Sequence, residues 1–554
     1  MRDESNERWP ISRLPASRTL LTDGGLLLIA EDQSEVIAFL SSPTAYGANV
    51  GPVERCETHA SIIFLADSTA YKLKRSVRFP YLDYSTPELR QRFCEAEVQV
   101  NRRTAPDLYR GVVAVVRRED GGLALGGAGA PLDWLVEMQR FDENALFSRL
   151  ADAGRLDRFA MENLADAIAR FHGQAEPRAF SGGAAGIARV LDSNRSCFAD
   201  SDPKILDPRQ TACLVELARN AFQAAAPLLD RRRDEGRVRH CHGDLHLRNI
   251  IVHNGQAVLF DAIEFDTAFA EIDVLYDLAF LVMDLEFRGL PHLASIVLNR
   301  YLDNTGDVAG LPALPLFLST RAAIRAHIDA VAASNQSEPR NAAELADAAR
   351  RYLRLALAFL RSEKPRLIAI GGLSGSGKSK LARQLAPLLG PAPGARVART
   401  DSTRKRLAGV ALGTRLGAQD YSSRMSRRTY EAVYDEARQA LAAGRSVIAD
   451  AVFAHPEERE AIARTASEAG VAFQGLWLDA APPVLERRVT GRRKNVSDAT
   501  AEVVRLQLEY DLGAIDWARL DASGEGDETL QAACALLGLK TVPHESVHRD
   551  GTPP

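Results

Sequence analysis

The chain has 554 residues, of which 46% are hydrophobic and 26% charged, and a formal net charge of -4. That length allows roughly three or four units that each bury a core, and the acidic balance supplies no broad basic surface for nucleic acid or an anionic membrane. The 6 cysteines are scattered without a CxxC pair, which excludes the common zinc and redox spacings and fits a reducing compartment.

In chain order, residues 1–25 and the tail 541–554 are polar and rich in Pro and Gly, so both are expected to be loose. "MRDESNERWPISR" lacks the apolar core of a signal peptide, and no uninterrupted apolar run is long enough to span a bilayer. A cytoplasmic protein with no membrane partner is expected. "THASIIFLADSTAYKLKRSV" reads as strand, turn at Asp67-Ser68, strand. "TPELRQRFCEAEVQVNRRTA" then predicts a helix opened by Thr86, with Pro87 at its first position. Alternation returns in "GVVAVVRRE" and "LDWLVEMQRF", so residues 26–140 form a small sheet with one helix. Residues 141–362 read as largely helical, interrupted by strand-like pieces around "CHGDLHLRNIIVHNGQAVLFDAIEFD". "SEKP" breaks the helical pattern, and the main boundary is placed near Glu363 to Pro365. Residues 366–540 begin as strand, glycine-rich turn and helix in "RLIAIGGLSGSGKSKLARQLAPLLG".

Two stretches carry chemistry. In "HGDLHLRNI", Asp244 and Asn249 have the spacing at which a kinase catalytic loop pairs a base with a magnesium ligand, and Asp261 closes an apolar strand where a second metal ligand is needed. Upstream, "AYKLK" puts Lys72 and Lys74 on one face of a strand, ahead of a helix with Glu95 and Glu97. Either lysine can contact nucleotide phosphates. The kinase strand signature favours Lys74, Lys72 follows the turn directly, and Glu97 is the favoured partner. "RFHGQAE", with His172-Gly173, has no following acid and reads as helix-end packing.

"GLSGSGKS" fits GxxxxGK[ST] after a strand and before a helix. Gly372, Ser374, Gly375, Ser376 and Gly377 are expected to wrap phosphates with backbone amides, Lys378 to reach the outer phosphates and Ser379 to bind magnesium. Strand ends are expected at Asp401, a candidate for orienting or deprotonating a hydroxyl, and at Asp450, a candidate metal holder through water. Arg404 follows one helical turn after Asp401. Arg488 and Arg492, with Arg493 beside them, could stabilise charge on the transferring phosphoryl group.

On these residues, the stretch from about Thr58 to Arg288 resembles the aminoglycoside phosphotransferase family, whose "HGDLHxxN" loop is matched at His242 to Asn249. The resemblance implies a two-lobed α+β kinase-like fold, with residues 26–140 as N-lobe and 141–362 as C-lobe. It further implies Asp244 as base, Asn249 and Asp261 as metal ligands, Asp277 as buttress of the loop, and a hinge where the backbone of Glu137 and Met138 meets adenine. No GxGxxG precedes "AYKLK", which leaves open what covers the phosphates. Residues from about Arg366 to Leu512 resemble small P-loop kinases that include gluconate kinases, zeta-type toxins and polynucleotide kinases, implying an α/β domain with a parallel sheet. Together the halves resemble bacterial fusions of the two domain types. The expected protein is an ATP- and Mg2+-dependent phosphotransferase with two nucleotide sites and small polar hydroxyl compounds, sugar or aminoglycoside-like, as acceptors. A nucleic-acid-end kinase, a regulatory P-loop module and an ATPase with water as acceptor are the rival readings.

Overall fold

The computed structural model describes residues 28–540 apart from 30, 59, 80, 81 and 492–495, so the two ends expected to be loose, together with Arg492 and Arg493, lie outside the described residues. Contacts divide the chain into two compact units: residues to 284 with 316–357, and residues 285–315 with those from 358 onward.

Near the start of unit 1, after a two-residue strand at Leu28–Ile29, lies helix α1 (Ser34–Leu40). A 6-stranded antiparallel sheet follows, built from β1 (Glu54–Glu57), β2 (Ser61–Ala66), β3 (Thr69–Lys74), β4 (Tyr109–Arg117), β5 (Leu123–Leu125) and β6 (Ala130–Gln139) in the order β1-β2-β3-β6-β4-β5. The β2–β3 turn is at Asp67, whose φ of 48° is one that Asp tolerates better than most residues. Side-chain alternation sends neighbours to opposite faces. Ile62, Phe64, Leu73 and Leu135 pack with Val36 and Leu40 of α1. Leu65, Ala70, Val136 and Met138 pack instead with Cys94 and Val98 of helix α2 (Pro87–Asn101). Helix α2 starts where the sequence predicts: Pro87 occupies its first turn and the Thr86 hydroxyl accepts from the Leu89 amide at 3.3 Å.

Helices α3 (Arg158–Gln174), α4 (Gly183–Ala199) and α5 (Pro208–Asp234) lead to a turn and the hairpin β7 (Ile250–His253) and β8 (Gln256–Leu259). Helix α6 (Val274–Phe287) follows. The chain then passes into unit 2 for α7 (Pro291–Thr305), and returns with α8 (Leu314–Asn335) and α9 (Pro339–Phe359). The sequence boundary near Glu363 to Pro365 and the contact division therefore differ over residues 285–315.

Unit 2 is an α/β domain whose 5-stranded parallel sheet runs β10-β11-β9-β12-β13. Its strands are β9 (Arg366–Gly371), β10 (Arg396–Arg399), β11 (Val447–Asp450), β12 (Ala472–Asp479) and β13 (Ala518–Asp521). The central strand, "LIAI" in β9, is buried throughout, as a strand covered on both faces requires. Helices α10 (Lys378–Leu385), α11 (Thr400–Leu407), α12 (Ser423–Ala442), α13 (Pro456–Glu468), α14 (Pro482–Thr490), α15 (Ala501–Leu508) and α16 (Gly526–Leu537) complete it. Such a sheet presents its loops at the carboxyl ends of the strands, where the glycine turn lies.

Among the described residues, no helix is long and apolar enough to cross a membrane.

Candidate active sites

In unit 1 the turn after Cys241 is anchored from below. The Asp277 carboxylate on α6 accepts from the His242 and Gly243 amides at 3.0 and 2.9 Å, and meets His172 Nε2 at 3.1 Å. Gly243 has a φ of 84°, and an added Cβ would lie 2.9 Å from the Phe269 carbonyl oxygen, so the turn demands glycine. His172 is therefore more than helix-end packing: it is a buried partner of the acid that shapes the loop. The His242 ring contacts the Phe260 carbonyl at 2.9 Å, tying the loop to the segment after β8; that strand stops at Leu259, so Asp261 lies two residues beyond its end rather than closing it.

On this frame Asn249 Nδ2 donates to Asp244 Oδ2 at 2.9 Å and to the Asp244 carbonyl at 3.0 Å, leaving its amide oxygen as the atom able to take a cation. His246 Nε2 lies 3.3 Å from Asp244 Oδ2. Burial opposes charge on Asp244, but the His246 ring, with His242 and Arg321 nearby, outweighs it and holds the carboxyl below the usual range.

Asp261 has a left-handed backbone, φ 60°, with its amide donating to the Tyr109 hydroxyl at 3.1 Å. Its Oδ1 contacts Lys72 Nζ at 2.7 Å, and the same ammonium reaches Glu97 Oε1 at 2.8 Å. Lys74 turns the other way, to Glu97 Oε2 at 2.6 Å and Glu264 Oε1 at 2.5 Å, with Tyr84 at 3.3 Å, and is buried. Lys72, not Lys74, thus stands beside the candidate metal ligand, reversing the preference drawn from the strand signature. Desolvation works against charge on Glu97, yet the Lys72 and Lys74 ammonium groups outweigh it and hold its carboxyl below the usual range. Glu95 is outside this network; its carboxylate accepts from Gln91 on the exposed side of the helix. Glu264, which the sequence reading missed, ends the chain of alternating charge, and the Tyr84 hydroxyl, also missed, donates to it at 2.8 Å.

The expected hinge needs correction. Glu137 and Met138 lie within β6, paired with Tyr71 and Ala70 on one side and with Gly111 and Tyr109 on the other. Their backbone groups face sheet partners on both edges, so the chain first leaves the sheet at Arg140.

In unit 2 the loop from Gly372 to Gly377 joins β9 to α10. Gly372, Gly375 and Gly377 have φ of 134, 93 and 100°, so each adopts backbone that side chains disfavour. Lys378 Nζ donates to the Leu373 carbonyl at 2.9 Å across the loop, and Gln507 on α15 accepts from the Ser374 amide at 2.8 Å. The loop with Ser379, Asp401, Arg404, Asp450 and Arg488 lines a cavity of about 1240 Å³. Asp450 ends β11 as expected, and its Oδ2 accepts from Arg399 Nε at 3.2 Å. Asp401 does not end a strand; β10 stops at Arg399 and Asp401 sits in the first turn of α11, because Thr400 already begins the helix. Arg488 donates to the carbonyls of Ala522 and Gly524 at 2.6 and 2.8 Å while facing the cavity. Asp498, not singled out from sequence, receives Lys405, the Leu416 amide and the Tyr421 hydroxyl at 3.2, 3.1 and 3.1 Å, closing the cavity wall.

Gly375→Ala should weaken nucleotide binding at the second site. Its Cβ would lie 2.6 Å from the Leu485 carbonyl oxygen, and backbone cannot give way as a flexible side chain does. With strain of about 1–3 kcal/mol, binding of a fluorescent ATP analogue there should weaken by about tenfold or more.

Residues 77–316 match the Phosphotransferase enzyme family and residues 367–510 match an AAA domain family. An uncharacterized protein of Mycobacterium tuberculosis is 30% identical over 490 residues, covering 86% of this chain and 94% of its own, and one of Mycobacterium bovis matches to the same extent. Among solved structures, a choline/ethanolamine kinase family protein of Mesorhizobium loti aligns at 13% identity and TM-score 0.38, over 60% of this chain and 95% of its own. A sugar kinase of Janibacter aligns at 20% identity and TM-score 0.24, over 32% of this chain and 95% of its own.

Proposed function

Since this chain belongs to the same family as those mycobacterial proteins and joins a phosphotransferase domain to an AAA-type P-loop domain, we propose that it is an ATP-dependent kinase with two separate nucleotide sites. Each site transfers the γ-phosphoryl group to a hydroxyl of a small polar metabolite. The observation that carries the reading is the unit 1 constellation, in which Asn249 holds Asp244 at 2.9 Å while Lys72 joins Asp261 to Glu97 at 2.7 and 2.8 Å.

Asp244, kept ionised, accepts a hydrogen bond from the acceptor hydroxyl, aligns it with the phosphorus and takes its proton as the new bond forms. Lys72 binds phosphate oxygens and is itself aimed by Glu97. The Asn249 amide oxygen and the Asp261 carboxylate, 43% exposed, form a hard-oxygen pair suited to magnesium. When bound, that ion neutralises charge across the β- and γ-phosphates. In unit 2 the loop amides and Lys378 hold the phosphates, Lys378 exchanging its carbonyl partner for them, while Ser379 and Asp450 are the oxygen donors for magnesium. Asp401 is the candidate for orienting the acceptor hydroxyl, with Arg404 beside it. The 1240 Å³ volume exceeds the usual ligand pocket of about 300–1,000 Å³, so nucleotide and acceptor fit together.

The test incubates the protein with ATP labelled on its γ-phosphate and a metabolite extract. Two labelled products are expected, one lost in Asp244→Ala and the other in Lys378→Ala. A single product lost in both variants, or labelled inorganic phosphate alone, would contradict the two-kinase reading.

A further inference from the structure

The side chains around Asp244 speak to what its acceptor carries. Arg321, on α8, is only 7% exposed. Its Nε donates to the Tyr276 carbonyl at 3.2 Å, and its guanidinium stacks 4.0 Å from the Tyr276 ring centre and 4.9 Å from that of Phe280. Nη2 is buried with no hydrogen-bond partner, and among the described residues Arg321 forms no ion pair. The Phe280 ring that flanks it meets the His246 ring at 5.1 Å, and His246 reaches Asp244 at 3.3 Å. The two carboxylates that feel its charge, Asp244 and Asp277, have their hydrogen bonds elsewhere: Asp244 with Asn249 and His246, Asp277 with the loop amides and His172.

A buried guanidinium with a donor to spare is costly unless something anionic completes it. Stacking on two rings offsets part of that cost and fixes the plane of the group. We propose that Arg321 is the anion-recognising side chain of the first site's acceptor pocket, so that the acceptor is a hydroxyl compound bearing an oxyanion, a carboxylate or a phosphate. This rests on the reading of Asp244 as the base of that site. A guanidinium matches either oxyanion with paired donors, whereas a polycationic aminoglycoside would meet like charge in a desolvated setting. The proposal therefore selects the acidic branch of small polar metabolites over the aminoglycoside-like one.

The experiment uses the full chain carrying Lys378→Ala, so that the second site is silent, saturated with magnesium and a non-hydrolysable ATP analogue. Calorimetric titration with glucose 6-phosphate, D-gluconate, glucose and kanamycin separates phosphate, carboxylate, neutral and cationic probes. At least one anionic probe should bind about tenfold or more tighter than glucose, the factor expected for a charged hydrogen bond. Arg321→Met should remove that preference, Arg321→Lys should keep part of it, and circular dichroism checks that both variants fold. The proposal is overturned if no anionic probe outcompetes glucose, if kanamycin binds best, or if Arg321→Met leaves the charge preference intact. Adding labelled ATP in place of the analogue tests the underlying reading separately. Selective binding without Asp244-dependent transfer keeps the oxyanion site and removes the kinase assignment, while Asp244-dependent transfer to neutral or cationic probes does the reverse.

Discussion

Asp244→Asn should slow phosphoryl transfer at the first site by about 10³-fold, with KM for ATP unchanged. The asparagine keeps the shape of the side chain but can neither carry the charge that aligns the hydroxyl nor take its proton. The ion pairs that join Lys72 to Glu97 and Asp261, the groups proposed to serve the nucleotide, are untouched, so the loss should fall on kcat, as for a group that acts in the transition state. Steady-state kinetics of the product that Asp244→Ala removes measure this directly. The pH dependence adds a second check. Burial raises the Asp244 pKa, but the contact with the His246 ring, with His242 and Arg321 nearby, lowers it further, so the net shift is below the ordinary carboxylate value. A depressed folded-state pKa means a charged, stabilising carboxylate above the unfolded value, lost only as pH falls through the folded one. The ratio of wild-type to Asp244→Asn activity should therefore be the same at pH 6 and pH 8. A ratio that collapses between those values would show that Asp244 titrates there and would contradict the electrostatics of the loop.

The two phosphate-chemistry loops were legible because their geometry is local. The Asp244 to Asn249 spacing closes one turn, and the glycines of 372–377 encode a backbone that other residues resist. Choosing between Lys72 and Lys74 was not possible from spacing, since alternate strand residues share a face. What separates them is Asp261, 189 positions away, which claims Lys72, and Glu264, which claims Lys74. The same limit applies to the hinge, because nothing in "LVEMQRF" marks that sheet pairing runs on to Gln139. "ARVART" reads as strand to its last residue, which predicts a strand end at Asp401, whereas the helix takes over at Thr400. No acid follows His172 in the sequence, yet its acid is Asp277 on another helix. In each case a partner distant in sequence decided the role.

The boundary of unit 2 gives the second large effect: Arg396→Met should lower that unit's stability by about 3–5 kcal/mol. Arg396 is 2% exposed on β10, the edge strand of the parallel sheet. Its Nε donates to Glu436 Oε1 at 2.6 Å, its Nη2 to Asp303 Oδ1 at 2.6 Å, and its Nη1 to the Asn299 carbonyl and side-chain oxygens at 3.1 and 3.0 Å. Asn299 also accepts from the Val397 amide at 2.8 Å and donates to the Ala395 carbonyl at 3.1 Å, so α7 covers backbone that an open edge would leave unpaired. Methionine fills the volume but leaves Asp303 as a buried carboxylate without its cation, and Glu436 with Arg406 alone at 2.9 Å. Asp303→Asn, which keeps an acceptor for the guanidinium and removes one charge, should cost less. Chemical denaturation gives the order of the two variants, and hydrogen exchange at residues 396–399 should rise most in Arg396→Met. Unchanged exchange there would mean that residues 285–315 are not what seals this edge.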